Sequence, residues 1–141
     1  MPVDRVQDLL QRLNQTFIPP LEAVVVVPEY VRKIAANGCV LLAREVVENE
    51  DVGLLAFYAN RRADGVAYVT SLGVIPEYYG VSVGHKLLAA AKQISRERGF
   101  RRMALRVASA NGRAVHFYAK HGFTPSAKGE KDGMLEMVAD L

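Results

Sequence analysis

Cysteine is nearly absent from this 141-residue chain: Cys39 stands alone, so no internal disulfide framework can form. Three histidines and one thiol make a poor basis for a structural zinc cage. No strongly apolar run, Ala23–Val27 included, approaches the roughly 20 residues of a membrane-spanning helix. The N-terminal stretch MPVDRVQDLLQRLNQ mixes acids and bases and lacks the apolar core and cleavage site of a secretory leader. Hydrophobic residues make up 50% of the chain, too many for a disordered one. A globular domain is expected, single over residues 1–141, cytoplasmic, and able to bury roughly 70% of its unfolded surface without a staple.

Charge is sparse overall but unevenly placed. Residues 86–120 hold nine Lys/Arg against Glu97 alone, a local +8 inside a net +3, so the rest of the chain carries −5. Such asymmetry suits an anionic partner, or a solvated helix face beside a basic hairpin.

Val6, Leu9, Leu10, Leu13 and Phe17 recur at helical spacing and predict a helix over roughly 3–15, ended by Pro19 and Pro20. Pro28 suits the first turn of a second helix that Gly38 stops; Ala23–Val27 before it reads as strand or packed linker. A meander follows: strands Cys39–Val47 and Val52–Ala59, a turn at Ala63-Asp64-Gly65, and a third strand Val66–Val74. Val83, Leu87, Leu88, Ala91 and Ile94 share a helical face that Gly99 closes. Met103–Ala108 then reads as a strand, Gly112–Lys120 as a short helix, and Met134–Val138 as a last strand. A strand–helix–strand run appended to a meander gives an α+β fold, a mixed sheet with helices packed on it.

Between the third strand and the long helix, Gly80, Ser82 and Gly84 are small at alternate positions. Helix-start N–H groups lack intrahelical partners, so small residues there allow an anion to approach them. The same residues also suit a close-packed turn. No Walker lysine follows, and the dinucleotide fingerprint is missing. After the next strand, Asn111 is a sensible N-cap, and Ala114, Phe117 and Tyr118 share one face of the short helix. Phe117 suits the core. Tyr118 fits either a core or a site, since a buried phenol needs a hydrogen-bond partner.

Together the two runs resemble the GNAT superfamily of N-acetyltransferases, which use acetyl-CoA. The family's pyrophosphate pattern, Arg/Gln-x-x-Gly-x-Gly/Ala, is matched by Tyr79-Gly80-Val81-Ser82-Val83-Gly84, preceded by Leu72-Gly73-Val74 and Pro76-Glu77-Tyr78. Its second pattern, Asn-x-x-Ala-x-x-Phe-Tyr-x-x-x-Gly-Phe, is complete from Asn111 to Phe123. Tyr79 stands where the family has Arg or Gln, and Ser82 where it has a glycine. The first change removes a side-chain hydrogen-bonder; the second supplies a hydroxyl that can reach phosphate and is expected to take helical dihedrals.

The resemblance implies a GNAT fold: a mostly antiparallel mixed sheet, helices on both faces, and a V-shaped cleft between central strands. It implies that backbone groups of Leu72 and Val74 pair with the pantetheine arm of acetyl-CoA, the cosubstrate, with the Leu72 N–H on the thioester carbonyl and Gly73 between them also at the cofactor. Residues Tyr79, Gly80, Val81, Ser82, Val83, Gly84 and His85 would cradle the pyrophosphate, with Lys86, Arg113 and Lys120 as phosphate neighbours. Asn111 would contact the pantetheine or cap its helix. Tyr118 is expected as general acid to the departing thiolate, with no metal and no assigned base. Cys39 reads as a core thiol. The acceptor is expected to be a small amine, such as an amino sugar or amino acid, read by the N-terminal helices, the loop at 17–23 and the 124–133 segment. A protein or peptide acceptor and a non-catalytic acyl-CoA sensor are the alternatives. A homodimer is compatible with the resemblance. Nucleic acid is not expected, because the basic stretch lacks a docking motif, and neither is a membrane.

Overall fold

The computed structural model describes residues 3–60 and 64–141. The elements run α1 (Val3–Leu13), α2 (Val27–Asn37), β1 (Cys39–Glu45), β2 (Glu50–Tyr58), β3 (Val66–Val74), α3 (Val83–Glu97), β4 (Arg102–Ala108), α4 (Gly112–Lys120), β5 (Thr124–Lys131) and β6 (Met134–Asp140). They form one six-stranded sheet in the order β1-β2-β3-β4-β6-β5, antiparallel except for β3 beside β4.

Strand alternation sends the core to both faces of this sheet. Leu55 and Phe57 point into a cluster with Leu87, Leu88 and Ala91 of α3 and Tyr118 of α4. Leu54 and Ala56, between them, meet Val6, Leu9, Leu10 and Leu13 of α1 and Val31 and Ile34 of α2. The expected helix at the N-terminus therefore forms, and its apolar stripe is fully buried. Cys39 is a free, half-buried thiol packed against the α3 cluster.

Three expectations about elements change. Ala23–Val27 contains no strand; a 3-10 turn at Leu21–Ala23 leads directly into α2, which begins at Val27. β1 stops at Glu45 because the Glu45 carboxylate accepts hydrogen bonds from the Val47 and Glu48 N–H groups, turning the chain and leaving Val46 and Val47 exposed. The 124–133 segment, to which the sequence assigned no element, is largely the edge strand β5. At the β2–β3 turn, Asp64 and Gly65 lie in a turn as expected, with Ala63 outside the described residues.

α1 is fastened to β2 by a two-pronged ion pair, Arg5 Nε and Nη2 to Asp51 Oδ2 and Oδ1 at 3.0 and 2.6 Å. The hydrogen bonds from Arg5 hold the Asp51 carboxyl below its ordinary pKa. A depressed folded-state pKa stabilises the protein above the unfolded-state value of about 3.9, and that stabilisation disappears as pH falls through the folded-state value. Asp51→Asn is therefore expected to lower the urea midpoint at neutral pH. The gap to wild type should close below about pH 3.

The feature that positions the site is a split between two central strands. β3 and β4 pair only over Val66–Val69 and Arg102–Leu105. At that limit β3 bulges: Ala56 faces Ser71 and Phe57 faces Val69, leaving Thr70 as the extra residue. The hydroxyl of Tyr30 on α2 holds both sides of the bulge, 3.0 Å from Thr70 Oγ1 and 2.5 Å from Ser71 Oγ. Beyond it, Thr70–Val74 leaves β4 and opens a V.

Candidate active site

The V exposes one edge of β3, and the hydrogen-bond pattern identifies the groups on it. Ile75 N–H donates to Val52 O at 2.8 Å, so Ile75 points its backbone at β2. Antiparallel pairing alternates, so Gly73 also faces β2, while Leu72 and Val74 present N–H and C=O to the cleft. These are the two residues singled out for backbone pairing.

A cavity of about 540 Å³ occupies the V between α3 and α4. It is lined by Leu72, Gly73 and Val74 from β3, by Tyr79, Gly80, Ser82, Val83, Gly84 and His85 from the turn and helix start, and by Asn111 and Tyr118 from the α4 segment. Of the residues expected along the pantetheine and pyrophosphate, Val81 stays off its wall, with an exposed side chain. Arg113 and Lys120 line the cavity and Lys86 does not.

The turn before α3 is shaped by two left-handed residues. Gly80 has φ +83°, which suits glycine. Ser82, at the N-cap, has φ 68° and ψ 13°, so it is left-handed and not helical as expected, and its side chain makes no capping hydrogen bond. A non-glycine residue there costs roughly 1–2 kcal/mol. Ser82→Gly is therefore expected to raise stability by about 0.5–1 kcal/mol after the entropy lost by glycine is counted, read as a higher urea midpoint. Gly84 is needed for packing: a Cβ there would lie 3.2 Å from Phe117 Cζ of α4.

α4 is capped as expected, with Ala114 N–H donating to Asn111 Oδ1 at 3.2 Å. Tyr118 is buried between the rings of Phe117 and Phe123, centroids 5.4 and 5.6 Å away, both close to perpendicular. Its hydroxyl has no hydrogen-bond partner among the described residues and borders the cavity. Burial pushes the phenol well above its ordinary pKa, so Tyr118 holds its proton across the working pH range.

Other contributors were not visible along the chain. Arg113 stacks its guanidinium over the Tyr79 ring, 3.4 Å from the centroid. The fold thus brings a cation to the turn where the family's Arg or Gln is missing. His121 Nδ1 lies 2.7 Å from the Phe117 carbonyl oxygen, which can only accept, so Nδ1 carries the proton. His121 Nε2 and His85 Nδ1 lie 2.8 Å apart and share a hydrogen bond. Lys92 of α3 donates to the His121 carbonyl at 2.5 Å, tying the two helices together. Thr16 and Ile18 close the cavity from the α1 side. Among the described residues no His/Cys/Asp/Glu group is arranged to hold a metal, and no helix is long and apolar enough to cross a membrane.

A six-stranded sheet split beside a bulge, with a cavity between two helix ends, defines an acyl-CoA N-acyltransferase type of fold. The sequence profile of the Acetyltransferase (GNAT) family matches residues 6–123, and the chain belongs to that family. A protein of Bacillus subtilis (strain 168), provisionally named a ribosomal protein bS18-alanine N-acetyltransferase, is 36% identical over 59 residues, 42% of this chain and 39% of that protein. The mycothiol acetyltransferase of Propionibacterium freudenreichii subsp. shermanii is 38% identical over 85 residues, 56% of this chain and 27% of that protein. The chain thus spans well under half the length of these curated relatives. Among solved structures, the ribosomal-protein-alanine N-acetyltransferase of Brucella melitensis superposes with TM-score 0.75 at 20% identity, covering 100% of this chain and 97% of that one. The PaiA N-acetyltransferase of Thermoplasma acidophilum, in complex with coenzyme A, gives 0.72 at 16%, covering 100% and 96%. At these identities the likeness concerns the fold.

Proposed function

We propose that this protein transfers an acetyl group from acetyl-CoA to a small primary amine within a ternary complex. The observation that carries the reading is Tyr118, a buried side chain whose hydroxyl has no hydrogen bond among the described residues, on the wall of a cavity that also exposes the free β3 edge. Acetyl-CoA supplies an acetyl thioester; the amine nitrogen bonds its carbonyl carbon, the C–S bond breaks, and the sulfur takes up a proton.

The residues divide this work. The Leu72 N–H is the donor for the thioester oxygen, fixed in place before charge develops there. Val74 continues the strand-like pairing with the pantetheine arm. The N–H groups of residues 80–84, helped by the α3 dipole, hold the pyrophosphate. Tyr118 O–H points its proton at the sulfur. One ammonium proton leaves to solvent before attack, and the second nitrogen proton, released as the amide forms, restores Tyr118. Cys39 takes no part; it lies on β1, in the core.

Arg113, over Tyr79, is assigned to a phosphate group. Arg113→Ala is expected to raise the KM for acetyl-CoA about 5- to 10-fold with kcat little changed, and to flatten the salt dependence of that KM.

One observation favours a non-catalytic acyl-CoA sensor: burial makes Tyr118 a reluctant proton donor. Acetyl-CoA raises the melting temperature under both readings. Thiol release with a panel of amines separates them. The transferase reading predicts release that depends on an amine, and no release across a broad panel would refute it.

A further inference from the structure

A second groove, about 660 Å³, lies on the other face of the sheet and is used by nothing described so far. Ala67, Val69, Met103, Leu105, Met137 and Ala139 point into the α3 cluster. Their strand neighbours Tyr68, Ala104 and Val138 therefore face the α1/α2 side, where the helices pack on β1 and β2 and leave β4 and β6 open. Ala104 and Val138 form the floor, Tyr68 one wall, and Ser126 of β5 the other. Pairing of β3 with β4 stops at Val69 and Leu105, and Glu136 faces Arg106, the next residue of β4, so the Glu136 end of the groove lies level with the start of the V.

A carboxylate held by a hydrogen bond stands at one end and a guanidinium at the other. At the V end is Glu136, paired in register with Arg106 of β4, its side chain only 19% exposed. Ser126 Oγ donates to Glu136 Oε1 at 2.8 Å and fixes the carboxylate. Its present cation is Lys128, at 3.8 Å on a side chain 81% exposed, an easily displaced partner. At the other end is Arg102, which makes no ion pair among the described residues. Asp64 at that end accepts from the Val66 N–H at 3.0 Å and is occupied in the turn. Arg102 precedes Arg106 by four residues on β4, about 13 Å along the strand.

We propose that this groove is the acceptor site and that it selects a linear zwitterion, its ammonium displacing Lys128 at Glu136 and its carboxylate reaching Arg102. The assignment of the occupant as acceptor rests on the transferase reading. An extended tripeptide, about 10 Å from end to end, has the required span once hydrogen-bond distances are allowed at each terminus. Glu136 acts as a binding anchor.

Triglycine and triglycinamide are the probes, titrated calorimetrically into CoA-saturated protein and also assayed by thiol release with acetyl-CoA. Wild type is expected to bind triglycine about 10-fold more tightly than the amide, the effect of one charge-assisted contact. Arg102→Ala should weaken triglycine about 10-fold and the amide less than twofold; Glu136→Gln should weaken both about 10-fold. Lys128→Met should tighten both about threefold by removing the competing cation. CoA affinity should be unchanged in all three variants. Equal binding of acid and amide, or acceptor binding indifferent to Glu136→Gln, overturns the proposal. Binding with this pattern but without thiol release for any amine upholds the groove and refutes the transferase. Thiol release with amines that ignores all three substitutions upholds the transferase and refutes the groove.

Discussion

Tyr118→Phe is expected to lower kcat by about 10²-fold or more, within the range contributed by a positioned proton donor, while the KM for acetyl-CoA changes less than about threefold. The split follows from geometry: the phenol ring fills a slot between Phe117 and Phe123, and phenylalanine fills it equally well. Stability gives a second and unusual signature. Removing a buried hydroxyl commonly costs about 1 kcal/mol, because it usually breaks a hydrogen bond. Here the hydroxyl has no partner among the described residues, so the unliganded variant should be as stable as wild type or slightly more so. The pH profile carries the same information. Burial raises the Tyr118 pKa, so ionisation of this residue should not shape activity on the alkaline side below the ordinary phenol range. Loss of stability without loss of kcat would make Tyr118 a core residue and nothing more.

Leu72→Pro should cost still more in kcat, about 10²- to 10³-fold, the usual loss when one oxyanion donor is removed. Proline deletes the N–H that faces the cleft. The alternate residues Gly73 and Ile75 keep their bonds to β2. Proline is tolerated in a strand where its missing donor lies on the open side, and Ser71 before it is already extended. Leu72→Ala is the matching control. It loses the same partly buried side chain against the α3 cluster but retains the N–H. Both variants should lose comparable stability, about 1–3 kcal/mol, and only the proline variant should lose kcat. Equal kcat values would show that the Leu72 amide is not part of the chemistry.

The sequence conveyed the site where chemistry depends on residue type at fixed local spacing. Small residues at 80, 82 and 84 lie within one turn and the Asn111–Phe123 run within one short helix and its caps, so their spacing survives folding. Features made by contacts across the sheet were hidden. The Thr70 bulge has no composition of its own; it comes from register against β2 and from Tyr30, 40 residues earlier in sequence. Stacking of Arg113 on Tyr79 and the His85–His121 hydrogen bond join residues 34 and 36 positions apart, across β4 and most or all of α3. Strand β5 was unreadable for a different reason. Thr124-Pro-Ser-Ala-Lys-Gly-Glu-Lys131 is mostly polar, contains Pro125 and Gly129, and lacks alternation because it lies at the sheet edge with an irregular register. Since Ser126 belongs to that strand, the second groove was invisible with it. Even the basic stretch took on meaning only in three dimensions: Arg113 and Lys120 reach the cavity, while Lys86, two residues beyond Gly84, does not.

The central claim is that the open edge of β3 is the slot for the acyl donor, and residue-resolved amide hydrogen exchange with and without acetyl-CoA tests it most directly. The account predicts an alternating response. The Leu72 and Val74 amides, exposed to the V, should slow at least 10-fold on ligand addition, together with amides at 80–84, while Gly73 and Ile75, already bonded to β2, should change little. Uniform slowing of the whole strand, or no change at Leu72 and Val74 while acetyl-CoA is bound, would contradict it.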